Sequence, residues 1–222
     1  MYKLIIFDWD GTLMDSAQKI ANCIKSAARE MGIDEPSDEQ AKSIIGLELI
    51  HALKILFPAL DDQTFKEYVA LYKHHFVVGD TTAQPMFQGV ESGLSQLQET
   101  GVLMAVATGK SRTGMTRVFE EIKLEHYFVT TRCGDETFSK PNPQMLHEIL
   151  DYTAIDPKNA IMIGDTSYDM LMAHNAGISG LGVSYGVHSK QELQQAHAID
   201  VLDSFSEIID WLLDGRVTTA YE

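Results

Sequence analysis

The chain has 222 residues, 45% of them hydrophobic, with 32 acidic and 17 basic side chains and a formal net charge of −15 at pH 7. That balance argues against binding to nucleic acid or to an anionic membrane, because both affinities are built from Lys and Arg contacts. It leaves room for a small phosphorylated ligand, which one lysine, a metal ion and a few backbone amides can meet.

Taken in chain order, KLIIFD (3–8) is an apolar run without polar alternation, the pattern of a strand buried on both faces. Residues 16–83 then break the strand rhythm: AQKIANCIKSAAREMGI, SDEQAKSIIG, LELIHALKILF and DDQTFKEYVALYKHHFVV predict four consecutive helices, punctuated by Pro36, Gly46 and Pro58. A helical subdomain inserted after the first strand explains them, with hinges near Met14–Ser16 and Thr82–Pro85. Beyond it, VLMAVAT (102–108), AIMIGD (160–165), SGLGVSY (179–185) and the weaker AIDVLD (198–203) predict further buried strands. Amphipathic stretches at 90–100, 111–122, 142–152, 167–177 and 204–214 predict the helices between them, with Gly177 as a C-cap. Strand then helix, repeated, means an α/β fold. The expected architecture is a doubly wound parallel-sheet, Rossmann-like core (1–15 and 84–222) with an inserted helical-bundle cap subdomain (16–83).

The two cysteines, Cys23 and Cys133, form no CxxC pair and read as reduced thiols of a cytoplasmic protein. No apolar run reaches membrane-spanning length, so no membrane partner is expected.

In a doubly wound sheet, ligands bind outside the carboxyl ends of the strands. Those ends carry Asp8 and Asp10, then Thr108-Gly109-Lys110, then Lys140 within SKPNP, then Asp165 and Asp169 within GDTSYD. Four acids, a hydroxyl and a lysine at one edge are the donors of a magnesium and phosphate site. Asp169 alone also reads as a helix N-terminal acid, and Thr108 as a strand end ahead of a Ser111 N-cap. Trp9, between the two acids, should face the other side of the strand and pack there. The eight histidines show no ligand spacing and read as structural or surface residues.

DWDGT, ATGK, KPNP and GDTSYD, in this order and spacing, resemble the four signature motifs of the haloacid dehalogenase superfamily of phosphotransferases. The resemblance spans nearly the whole chain, cap included. It implies Asp8 as a nucleophile forming an aspartyl-phosphate, and Asp10 as the general acid and base. It implies that Thr108 and the Gly109 amide hold phosphoryl oxygens, and that Lys140 neutralises them and restrains Asp8. Mg²⁺ would then be held by Asp8, Asp165 and the Asp10 backbone carbonyl, with Asp169 in support.

Departures from sister patterns narrow the expectation. Hydrolytic dehalogenases lack an acid at the position of Asp10, phosphonoacetaldehyde hydrolases carry alanine there, and β-phosphoglucomutase-type enzymes have a histidine where this chain has Ile20. What remains resembles the phosphoglycolate phosphatase group: an Mg²⁺-dependent phosphatase acting on a small phosphorylated metabolite, phosphoglycolate-like or a sugar phosphate. Inorganic pyrophosphatase and a non-catalytic phosphate-binding regulatory protein are the alternatives. Gly109 departs from the Thr-Asn-Lys common in that group, which leaves the ester open. Gly46 is expected to face the active site, with Arg29, Lys42 and Lys54 as cap residues for a substrate anion.

Overall fold

Leu4–Phe7 forms β1, the inner strand of the sheet, in a computed structural model that describes residues 1–220. β1 pairs in parallel on one side with β2 (Leu103–Thr108) and on the other with β4 (Ala160–Gly164). β3 (Thr130–Cys133), β5 (Ser179–Val183) and β6 (Asp200–Leu202) complete a parallel six-stranded sheet in the order β3-β2-β1-β4-β5-β6. The order turns back between β1 and β4, which is where a doubly wound sheet opens a crevice at its carboxyl edge. Phe7 is in register with both Val106 and Ile163, so the residues that follow β1, β2 and β4 emerge side by side.

Side chains alternate across each strand, and the two sets bury against different helices. Ile5, Phe7 and Trp9 pack with α5 (Val90–Glu99), α6 (Arg112–Ile122) and α10 (Phe205–Leu213). Leu4 and Ile6 pack with α7 (Gln144–Thr153) and α8 (Ser167–Ala176). Trp9 sits on the first face, as its place in the strand predicts, edge-on to Phe119 at 5.4 Å and to Phe128 at 6.2 Å. Gly177 caps α8 in the left-handed conformation.

Between β1 and β2 lie α1 (Ala17–Met31), α2 (Asp38–Ser43), α3 (Leu49–Leu56) and α4 (Asp62–His74). They gather around a hydrophobic cluster of their own, including Ile24, Leu53, Phe65 and Tyr68, and the Tyr68 hydroxyl donates to the Ile24 carbonyl at 2.7 Å. The chain leaves and returns through one narrow crossing, where the Asp15 amide donates to the Pro85 carbonyl and Met14 bridges Met86.

Three local expectations change. α2 stops at Ser43, and the Ile44–Leu47 stretch is a turn rather than helix. The last helix does not run smoothly to Val78; its end widens into a π-helical turn over His75–Gly79. β3 and the six-residue α9 (Lys190–Gln195) were not read as elements. β3 is an edge strand of two threonines, an arginine and a cysteine, so it lacks the apolar run that marks the inner strands. Among the described residues no helix is long and apolar enough to cross a membrane.

Candidate active site

The carboxyl ends of β1, β2 and β4 build the site. Beyond β1 the chain turns at once: the Leu13 and Met14 amides donate to the Trp9 carbonyl, and Gly11 takes φ +88°. A side chain on Gly11 would sit 2.2 Å from Asp165 Oδ2, so the glycine leaves the space that the Asp165 carboxylate occupies. Thr12 Oγ1 donates to Asp165 Oδ1 at 3.0 Å, and the Val187 amide donates to Oδ2 at 2.8 Å. The residue pattern after β1 is therefore the packing solution for the acid just beyond β4.

Asp8 is fully buried, with the Lys140 ammonium 2.8 Å from its Oδ1, an ion pair off the hydrogen-bonding direction; Oδ2 has no protein partner. Lys140 is itself buried and donates to Asp169 Oδ1 at 2.6 Å. Asp169 Oδ2 accepts from the Thr166 amide and hydroxyl, closing a capping box at the start of α8. Asp169 is thus both a helix N-terminal acid and the anchor of Lys140. Thr166 and Asp169 set the lysine, and the lysine faces Asp8.

Burial raises the Asp8 carboxyl well above the ordinary range; Lys140 opposes this, and the Asp169 and Asp165 charges add to it. Asp165 is pushed up to about 7 by burial and by Asp169, against the Val187 and Thr12 hydrogen bonds. Burial works against the Lys140 charge, but Asp169 and Asp8 outweigh it and hold its pKa above the usual lysine value. Asp8, Asp165 and Asp169 each offer an oxygen, all within 4.8 Å of one another. Three buried acids, one ammonium and an unpartnered oxygen on Asp8 fit a divalent cation that prefers oxygen ligands. None of the eight histidines joins this cluster among the described residues.

The Asp10 side chain lies outside that triplet and has different partners. Ser16 Oγ donates to its Oδ1 at 2.5 Å, and Lys110 Nζ stands 3.0 Å from Oδ2. Asp8, Asp10, Thr108, Gly109 and Lys110 line one cleft of about 300 Å³, closed from the other side by the helices between β1 and β2. Gly46 lines it too, and a side chain there would press on Thr166, 3.2 Å from its Oγ1. A side chain on Gly109 would lie 2.4 Å from the Leu47 carbonyl oxygen and 2.5 Å from that of Gly46, so Gly109 lets the turn after α2 approach the end of β2.

The expected anion-binding trio is not at this cleft. Arg29 is spent on Glu35, at 2.7 and 2.8 Å, Lys54 is exposed beside Phe65, and Lys42 does not reach the lining either. The cations that do line it are Lys110, Arg117 and Lys73, together with Phe76 and Tyr72. Lys110 was legible in ATGK, two residues beyond a strand end that adjoins Asp10. Arg117 carried no signal, since it reads as one more polar position on an amphipathic helix.

A doubly wound sheet that gathers these acids and Lys140 at its switch point, under a helical lid, defines a class of hydrolytic phosphotransferase folds. The family profile described as haloacid dehalogenase-like hydrolase matches residues 5–183. The chain belongs to that family, and it is a phosphatase of it. Two curated relatives are phosphoglycolate phosphatase of Photobacterium profundum, 31% identical with 94% of each chain covered, and "Probable phosphatase IndB" of Dickeya dadantii, 32% identical over 94% of this chain and 93% of the relative. A crystal structure described as a predicted phosphatase from Clostridium acetobutylicum superposes with a TM-score of 0.85 at 27% identity, covering 96% of this chain and 99% of that one. A hydrolase from Pseudomonas syringae shares the fold at a TM-score of 0.86 and 21% identity, over 97% of this chain and 99% of that one.

Proposed function

We propose that this phosphatase is Mg²⁺-dependent and hydrolyses a small organic phosphate monoester through an aspartyl-phosphate at Asp8. In this reading residues 1–15 and 84–222 are the catalytic core and 16–83 a cap that shields the reaction from bulk water. The observation that carries the proposal is the contrast between two carboxylates two residues apart. Asp8 has a free oxygen on the cleft floor and is backed by Lys140, whereas Asp10 is held aside by Ser16 and Lys110.

Asp8 attacks phosphorus, the bond to the ester oxygen breaks, and Asp10 gives its proton to the departing oxygen. A water then attacks the phosphorus of the aspartyl-phosphate as Asp10 takes its proton, and the bond to Asp8 breaks to release phosphate. The Thr108 hydroxyl and the Gly109 amide hold phosphoryl oxygens, and Lys140 balances their charge. Asp8, Asp165 and the Asp10 backbone carbonyl would hold Mg²⁺, with Asp169 in support, and the bound ion would supply further neutralisation of the phosphoryl charge. The relatives named phosphoglycolate phosphatase support a small-metabolite ester, and the two free buried cysteines suit a cytoplasmic protein.

The test is phosphate release from a panel of phosphoglycolate, sugar phosphates, pyrophosphate and p-nitrophenyl phosphate, with and without Mg²⁺. Turnover of an ester that needs Mg²⁺ and vanishes in Asp8→Asn is the expected result. Turnover surviving in Asp8→Asn sinks the covalent route. Pyrophosphate as the preferred substrate, or no turnover at all, selects the pyrophosphatase or the non-catalytic reading.

A further inference from the structure

The wall opposite Asp8 is apolar. Ile20 and Ile24 of α1, Ile45 and Leu47 of the turn after α2, and Phe76 of the π-helical turn face the cleft. A two-carbon phosphorylated acid brings a second charge close to its phosphate, and that charge has no counterpart on this wall. Lys110 is already engaged by Asp10, and Arg29, Lys42 and Lys54 lie elsewhere. Leaving such a charge against isoleucines without a partner is costly.

Apart from Asp8 Oδ2 and the exposed Lys73 and Thr113, two polar side chains on the lining have no hydrogen-bond or ion-pair partner among the described residues. One is the Tyr72 hydroxyl, which burial keeps neutral and therefore a donor. The other is the Arg117 guanidinium, half-buried on α6 with its central carbon 5.6 Å from the centre of the Phe76 ring. Held against that ring, Arg117 is a preset cation at the edge of the apolar wall. Lys73, the remaining cation on the lining, is exposed to solvent.

We infer that the substrate is a phosphate monoester with an apolar body longer than two carbons, ending in an anionic group that Arg117 receives. The inference rests on the phosphatase reading and narrows its substrate class. Tyr72 offers a hydrogen bond to an acceptor along that body. Each methylene that leaves water for this wall raises affinity about fourfold, so chain length shows directly in kcat/KM.

The experiment compares 2-phosphoglycolate, hexyl phosphate and the six-carbon ester bearing a terminal carboxylate, 6-(phosphonooxy)hexanoate, under saturating Mg²⁺. Hexyl phosphate should exceed phosphoglycolate in kcat/KM by at least about tenfold, with the carboxylated chain higher still. Arg117→Ala should erase the difference between the two six-carbon esters, while Arg117→Lys restores part of it. Phosphoglycolate equal to or better than both overturns the inference, as does an undiminished carboxylate advantage in Arg117→Ala. Calorimetric affinities of the same esters for Asp8→Asn separate the two claims. Tighter binding of the long esters without turnover by wild type sinks the phosphatase reading and leaves the pocket assignment standing. Turnover with no preference for length sinks the pocket assignment alone.

Discussion

Lys110 and Asp10 form a buried ion pair on the cleft floor, Nζ to Oδ2 at 3.0 Å, with 8% and 10% of their side chains exposed. The same ammonium lies 5.2 Å from the centre of the Phe76 ring, so an aromatic of the π-helical turn covers the cation that holds the proposed acid. Asp8, by contrast, is served by Lys140 at 2.8 Å. Each of the two neighbouring acids has its own lysine, and the two pairs do different work.

Lys110→Met removes the Asp10 partner and keeps most of the apolar stem of the side chain. Asp10 then keeps Ser16 alone, and its carboxylate is no longer fixed toward the cleft. The expected result is a fall in kcat of about ten- to a hundredfold on alkyl phosphates, with a smaller change in KM. p-Nitrophenyl phosphate, whose leaving group needs little protonation, should lose less. Equal losses on both esters would assign Lys110 to phosphate binding instead.

Asp165 and Asp8 give the metal-free protein a distinctive pH dependence. Asp165 rises from 3.8 to about 7 in the fold, mainly by burial, and Asp8 shifts in the same direction. Between those values the folded chain holds protons that the unfolded chain has released, so stability is greatest below the unfolded value and falls as pH rises toward 7. Lys140 titrates far above this window and leaves the sign unchanged. In EDTA, Tm should therefore fall between about pH 4 and about pH 7, and Mg²⁺ should raise it more at the upper end, because it binds the ionised carboxylates. Asp165→Asn should flatten the metal-free slope. A wild-type Tm in EDTA as flat as that of Asp165→Asn would contradict the assignment.

Lys140→Met leaves Asp8 and Asp169 as buried acids without their shared cation. Losing one member of a buried charge cluster costs about 3–5 kcal/mol. Urea denaturation of the metal-free variant near neutral pH should show a loss of that order, well above what a surface lysine would give. Asp169→Ala should also destabilise, since it removes the Lys140 partner and the capping box of α8 together. A Lys140→Met variant as stable as wild type would mean that the acids are balanced some other way.

Gly109→Ala places a methyl 2.4 Å from the Leu47 carbonyl and 2.5 Å from that of Gly46. Both atoms belong to the turn after α2, outside the sheet, so the clash is relieved by moving that turn away from β2. Because the atoms met are backbone, stability should fall by about 1–3 kcal/mol, and kcat/KM should drop by at least about tenfold because the cleft no longer closes over the phosphate. Unchanged kinetics would show that the turn does not need this approach for turnover.

Much of this protein was determined by local pattern. The inner strands are short runs without polar alternation, rich in β-branched residues and followed by helical stretches, which suits strands buried on both faces; hence β1, β2 and β4 were legible nearly to the residue. Asp8, Asp10 and Asp165 stood out because a carboxylate at or just beyond the end of such a strand has to be spent on something, whereas Lys140 and Asp169 stood out through their place in the KPNP and GDTSYD motifs. The edge strand β3 was not, since an edge carries polar residues and loses that mark. Tertiary structure alone decided which cations reach the cleft. Arg29, Lys42 and Lys54 looked suitable from their place in the cap, yet Arg29 meets a local glutamate and the other two lie away from the lining. Arg117, on a helix of the core, reaches it instead, and Lys110 finds Asp10 about a hundred residues away in sequence. Which charged side chains converge depends on how the helices seat against the sheet, and amphipathic periodicity says which face of a helix is buried but not what stands across from the other one.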